Sequence, residues 1–151
     1  MSLEFEIKQK KFRSENQKLI INILYTGNWI QASQNKLFKP NGISLQQFNI
    51  LRILRGQFPN PASLGLLQER MLDKNSNASR LVDKLKLKKF VERKESKHDR
   101  RQVDILITEK GLDVLQELDK LIEEQEKSLS FLQESDVQKM NSILDKIREK
   151  V

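Results

Sequence analysis

The sequence predicts a mostly α-helical fold carrying one small β-hairpin. Three observations lead there. Apolar residues recur at helical spacing over most of the 151 positions. The period changes from 3.6 to 2 only between Lys89 and Thr108. Glycine (5) and proline (3) are too few for a many-turned β-sandwich.

The elements follow in chain order. Residues 3–38 contain no helix breaker except Gly27, and Ile20, Ile23, Leu24 and Ile30 fall on one helical face, with Phe12 and Phe5 on a weaker continuation. Pro40 and Gly42 end this segment. Ser44 and Gln47 have the spacing of a capping box, and Leu45, Phe48, Leu51 and Leu54 form the buried stripe behind it. Gly56, Pro59 and Asn60-Pro61 mark a turn. Ser63 caps a short helix to Leu72 with Leu64, Leu67 and Met71 inward. After the polar Asp73-Lys74-Asn75-Ser76, a helix is expected over 75–89. Its inner stripe is Ala78, Leu81, Val82 and Leu85, and its outer face is Ser76, Asn77, Arg80, Asp83 and Lys84.

Phe90–Lys94 reads as a short strand and Gln102–Ile107 as a clearer one, with a polar tip, Glu95–Arg101, between them. Thr108 caps a helix whose inner side is Leu115, Leu118 and Ile122 and which runs to about Phe131. Ser135 and Gln138 form a second candidate capping box, followed by the stripe Met140, Ile143, Leu144, Ile147 and Val151.

Charge is concentrated. The formal net charge is +7, and residues 70–101 alone carry twelve Lys/Arg against five Asp/Glu; outside them, 16 bases and 16 acids cancel. Such a patch suits a polyanion, and a merely solvated lysine-rich face is the alternative. Cysteine is absent, so there is no disulfide framework, thiolate metal site or thiol switch. No apolar run is long enough to span a membrane, and the first twenty residues lack the apolar core of a signal peptide, so a cytoplasmic protein is expected. No phosphate-cradling glycine loop, metal-ligand spacing or nucleophile–histidine–carboxylate set is present; neither an enzyme nor a cofactor is expected.

Two short helices joined by a polar turn and followed by a hairpin read as a winged helix-turn-helix. A duplex major groove admits one helix. The segment 75–89 offers small hydrogen-bonding residues at its start (Asn75, Ser76, Asn77, Ser79) and cations after them (Arg80, Lys84). Asn pairs bidentately with adenine and Arg with guanine. The tip residues Lys97, His98, Arg100 and Arg101 suit the narrow, electronegative minor groove, with Asp99 orienting Arg101. For Asp99 and Arg101 a plain surface ion pair is the alternative, and for His98 a plain loop residue.

Residues 72–118 also resemble the multiple-antibiotic-resistance regulator (MarR) family. The resemblance rests on Leu72-Asp73-Lys74-Asn75-Ser76-Asn77-Ala78-Ser79-Arg80-Leu81-Val82-Asp83-Lys84-Leu85, on Val91-Glu92-Arg93, on the Asp99-Arg100-Arg101 tip and on Leu106-Ile107-Thr108-Glu109-Lys110-Gly111. One position departs from the pattern: the family commonly has Gly where this chain has Lys89. Either Lys89 is left-handed there, at a cost of roughly 1 kcal/mol, or the helix runs on and the hairpin starts differently.

The resemblance implies a single MarR-like domain over 1–151. Its winged-helix lobe covers about 44–110, and its dimerisation helices about 3–38 and 112–151. It implies a homodimeric regulator of transcription, usually a repressor, on a pseudo-palindromic operator in double-stranded DNA. It further implies an effector cleft, where a small aromatic molecule would meet Tyr25, Trp29 and Phe48, with Arg52 or Lys18 holding its charge. Core packing of those aromatics is the alternative. A winged-helix protein-interaction module and a non-repressing DNA binder, activator or architectural, remain open as functions.

Overall fold

The computed structural model describes residues 2–95 and 103–150. The chain divides into two compact units, Met1–Leu115 and Gln116–Val151.

In the first unit, α1 (Leu3–Glu6) and α2 (Glu15–Phe38) are separate helices. This corrects the uninterrupted segment expected from the sequence. The break arises because Ser14 is extended and its hydroxyl accepts the Gln17 N–H, a cap that starts α2 afresh. The N-terminal turn is tied back on α2 by a Glu4–Lys18 ion pair of 2.5 Å and by the Tyr25 hydroxyl, which donates to Glu6 Oε2 at 2.8 Å. The hydrogen bond from Lys18 holds the Glu4 carboxyl down at about 2.

A single 3-10 turn, Lys39–Asn41, ends at Gly42, whose φ of 64° is the left-handed conformation that favours glycine. Helix α3 (Leu45–Gln57) then begins on the expected capping box, both of its reciprocal bonds formed between Ser44 and Gln47. It runs through Gly56, and its buried face is Phe48, Ile50, Leu51 and Leu54. Ser63 caps α4 (Leu64–Arg70), its hydroxyl accepting the Leu66 N–H; this helix stops short of Leu72.

The hairpin consists of β2 (Val91–Glu95) and β3 (Val103–Ile107), antiparallel with Arg93 opposite Ile105. A third strand, β1 (Ala62–Ser63), pairs with β3 through Ala62 and Ile105, giving the order β1-β3-β2. Two residues carry no periodicity, so the expectation of a two-stranded sheet is corrected by this addition. Ile105 sits in the middle strand and is fully buried. The core around it gathers Leu51, Leu54, Leu67, Met71, Val82, Leu85, Val91 and Leu115.

Helix α5 (Ala78–Leu87) lies between α4 and the hairpin in sequence. Helix α6 (Glu109–Lys127) starts beside Phe90 and ends four residues before Phe131, where its expected end lay. In the second unit, α7 spans Glu134–Lys150. Ser135 falls inside its first turn, because the Gln133 carbonyl already accepts from Asp136 and Val137; the second capping box is therefore not formed. Along α7 the expected stripe is exposed at Met140 and Ile143 and half-buried at Leu144 and Ile147, while Val151 lies outside the described residues; Val137, a turn earlier, is also exposed. Among the described residues, no helix is long and apolar enough to cross a membrane.

Candidate nucleic-acid interface

The turn before α5 is assembled from polar side chains. The Asp73 carboxylate accepts the Asn75 N–H at 3.1 Å and the Ser76 hydroxyl at 2.7 Å. Those bonds, Ser76 first, hold its pKa below the ordinary carboxylate value. From α4, the Gln68 amide reaches both ends of the turn. Its nitrogen donates to the Lys74 carbonyl at 2.9 Å, and its oxygen accepts the Ala78 N–H at 3.2 Å. From α3, Asn49 accepts the Leu72 N–H at 2.9 Å.

Helix α5 therefore starts at Ala78, three residues later than expected. Asn77 is its N-cap, accepting the Arg80 N–H at 3.0 Å. The correction has a local cause: Asp, Asn and Ser compete with the helix for backbone N–H groups and settle at its cap. Asn75, Ser76 and Asn77 thus stand in the turn, and the oxygen Asn77 would use for a bidentate adenine contact already holds the cap.

Ala78, Val82 and Leu85 are buried on the inner side of α5, while Arg80, Asp83, Lys84 and Lys86 face solvent. Ser79 is half-buried. So is Leu81, expected inside, which lines a cavity of about 540 Å³ together with Lys39, Ser44, Lys84, Leu87 and Lys88. Asp83 is engaged sideways by Arg93 of β2 at 2.9 Å. Among the described residues, no ion pair holds Arg80 or Lys84. Lys97, His98, Arg100 and Arg101, and Asp99 beside them, lie outside the described residues.

The end of α5 is also defined. Lys89 has φ 62°, left-handed, which decides between the two alternatives noted above. Its N–H donates to the Lys86 carbonyl and the Phe90 N–H to Leu85, the two bonds of a Schellman motif. Thr108 then locks the hairpin onto that end. Its N–H donates to the Phe90 carbonyl at 3.0 Å, its hydroxyl donates to the Lys89 carbonyl at 2.8 Å, and the same oxygen accepts the Gly111 N–H at 3.1 Å.

The four candidate effector residues are spread differently. Phe48 is buried with its ring 4.6 Å from that of Phe38, and the Arg52 guanidinium stands 5.8 Å over Phe48 from outside. Tyr25 is half-buried on Glu6, a contact that raises its pKa, and Trp29 is 61% exposed. Lys18 is taken by Glu4. None of the four lines the 540 Å³ cavity.

Sequence reasoning missed Gln68, Asn49 and Asp73, which shape the turn. Their signal was a polar residue on the edge of an otherwise apolar helix, or an acid opening a turn, and neither names its partner.

The family model for the MarR family matches residues 41–102. The transcriptional repressor MprA of Escherichia coli (strain K12) is 33% identical over 86 residues, 57% of this chain and 49% of that protein. The chain thus spans about half the length of the curated relative it matches. The transcriptional regulator BldR of Sulfolobus solfataricus superposes with a TM-score of 0.75 at 28% identity, covering 94% of this chain and 100% of BldR. The MepR–DNA complex of S. aureus gives a TM-score of 0.77 at 19% identity, covering 85% of this chain and 94% of MepR. Residues 41–102, which hold the turn and α5 of the winged helix-turn-helix, are similar to the MarR family, and the fold is that of the MarR-type regulators above.

Proposed function

We propose that this chain is a sequence-specific regulator of transcription that binds double-stranded DNA, acting as a homodimeric repressor released by a small-molecule effector. The observation that carries the reading is the two-sidedness of α5. Ala78, Val82 and Leu85 anchor it in the core, and Arg80 and Lys84 stand outward without ion-pair partners among the described residues. Cations held in place and left unneutralised suit phosphates and guanine edges. The turn residues Asn75, Ser76 and Asn77 stand at the same helix end, Ser76 and Asn77 each with an oxygen already bonded within the turn and cap, and Ser79 follows. The wing-tip residues Lys97, His98, Arg100 and Arg101 complete the interface on the minor-groove side. MepR, whose fold this chain shares, is a DNA-bound protein in its own complex.

Homodimerisation is supported by apolar surface on each unit. In the first, Leu19, Ile20, Leu24, Trp29 and Ile30 of α2 are exposed; in the second, Val137, Met140 and Ile143 of α7. A two-fold dimer sets two reading helices about one duplex turn apart, which calls for a pseudo-palindromic operator. The repressor then acts by occupying a promoter in the cytoplasm. A small aromatic effector that favours one dimer geometry lowers operator affinity by its differential binding to the two states. Trp29, with Tyr25 one turn before it and Arg52 over Phe48, supplies the surface on which such a molecule is sought.

Selection of bound sequences from random duplexes tests the reading. An enriched inverted repeat, bound with an affinity that falls steeply with salt, is the expected result. Enrichment of no sequence overturns it.

A further inference from the structure

Asp83 is an acid on the outer side of a helix whose other outward charged groups, Arg80, Lys84 and Lys86, are cations, where a bare carboxylate would repel a polyanion. The structure turns it aside. Its Oδ1 lies 2.9 Å from Nη1 of Arg93 on β2. Arg93 shares a strand face with the buried Val91, two residues before it, and its side chain is only 28% exposed, against 63% for Lys94 and 53% for Glu92 on the neighbouring positions. Opposite Arg93 in the ladder stands the buried Ile105 of the middle strand. The guanidinium is therefore a packed, planar fork on the sheet, and Asp83 is what it holds.

On the DNA-binding reading above, we propose that Asp83 and Arg93 are positioning residues. Together they fix the rotation of α5 against the sheet, so that discrimination between sequences, rather than affinity for duplex DNA in general, depends on the pair. Phosphate contacts tolerate a few degrees of helix rotation; hydrogen bonds to base edges do not. A partly exposed ion pair adds little to folding stability, so the role is separable from folding.

The test uses the full chain, a duplex enriched from a random library by the wild type, and a scrambled duplex of equal length. Asp83→Asn, Arg93→Gln, the double variant and Arg93→Lys are compared with the wild type. Each single variant is expected to melt near the wild type and to lower the ratio of selected to scrambled affinity about tenfold. The double variant is expected to lose no more than either single one, the mark of a shared interaction, and Arg93→Lys to recover part of the ratio. An unchanged ratio in both single variants overturns the proposal. So do losses that add in the double variant, or Asp83→Asn tightening both duplexes equally, which would make Asp83 a charge and no more. Failure of the wild type to enrich any duplex overturns the DNA-binding reading itself, and the proposal with it.

Discussion

A β-carbon on Gly111 would lie 2.2 Å from the carbonyl oxygen of Phe90 and 2.8 Å from Cγ1 of Ile107. The first turn of α6 therefore presses directly on the backbone that leaves α5, and the Thr108 bonds to Lys89, Phe90 and Gly111 depend on that approach.

Gly111→Ala separates this packing from helix propensity. In an open helix the change would stabilise by about 1 kcal/mol. Here neither the carbonyl nor the buried Ile107 can withdraw cheaply, so the sign reverses. A loss of about 3 kcal/mol is expected from overpacking, read as a lower urea midpoint. A neutral or stabilised protein would mean that α6 starts further from Phe90.

Lys89→Gly should act in the opposite direction. Lys89 is exposed and left-handed, its backbone completing the Schellman motif that ends α5. Relief of the Cβ strain, less the extra freedom glycine has when unfolded, gives a gain of about 0.5–1 kcal/mol. Lys89→Ala keeps the β-carbon and should give none, so the pair of melting curves isolates the backbone contribution.

These two positions show how unevenly the sequence announces the fold. The Ser44 box and the Ser63 cap are local, and residues within four positions of one another declare them, whereas at Lys89 the sequence leaves two alternatives open. Strand β1 is not local; Ala62 and Ser63 become a strand only because Ile105 and Asp104 lie beside them. The site divides in the same way. Outward Arg80 and Lys84 follow from helical spacing. The start of α5 does not, since Asn75–Asn77 fit a first helical turn as well as a cap, and the deciding bonds come from Asp73 and from Gln68, ten residues before Ala78.

Acid should loosen that turn. The pKa of Asp73 is lowered by the Ser76 hydroxyl and the Asn75 N–H, so the folded state favours the carboxylate. The stabilisation is complete above the ordinary value of 3.8 and fades as pH falls through the lower folded value. Amide exchange at Asn75 and Ser76 is expected to accelerate as pH drops below about 4, after correction for intrinsic rates. In Asp73→Asn the protection should already be reduced at neutral pH and stay flat. Identical pH profiles in the two proteins would show that the carboxylate does not hold the turn.

Self-association should depend on the exposed apolar faces. A glutamate at Met140, 61% exposed on α7, is expected to shift the protein toward monomer in sedimentation without lowering its helicity. The same substitution at Asn141, its exposed polar neighbour, should do nothing. Operator affinity should fall with the dimer fraction, because two half-sites are then read by independent chains. A Met140→Glu protein as dimeric as the wild type would remove that face from the interface.

Arg80 and Lys84 are expected to fail in different ways. Both face outward one helical turn apart, but Arg80 stands next to the cap, nearest the turn, whereas Lys84 borders the cavity shared with Lys39 and Lys88. A guanidinium offers a planar fork to guanine O6 and N7; an ammonium is a point charge suited to phosphate. Arg80→Gln should cost about 1–3 kcal/mol on the selected duplex and relax the preference at one base pair of each half-site. Lys84→Gln should weaken selected and scrambled duplexes alike and reduce the slope of log affinity against log salt by about one per protomer. Melting temperatures should stay near the wild type for both, since neither side chain is buried. If Arg80→Gln left the base preference intact while Lys84→Gln altered it, the reading edge of α5 would lie at its cavity side rather than at its cap.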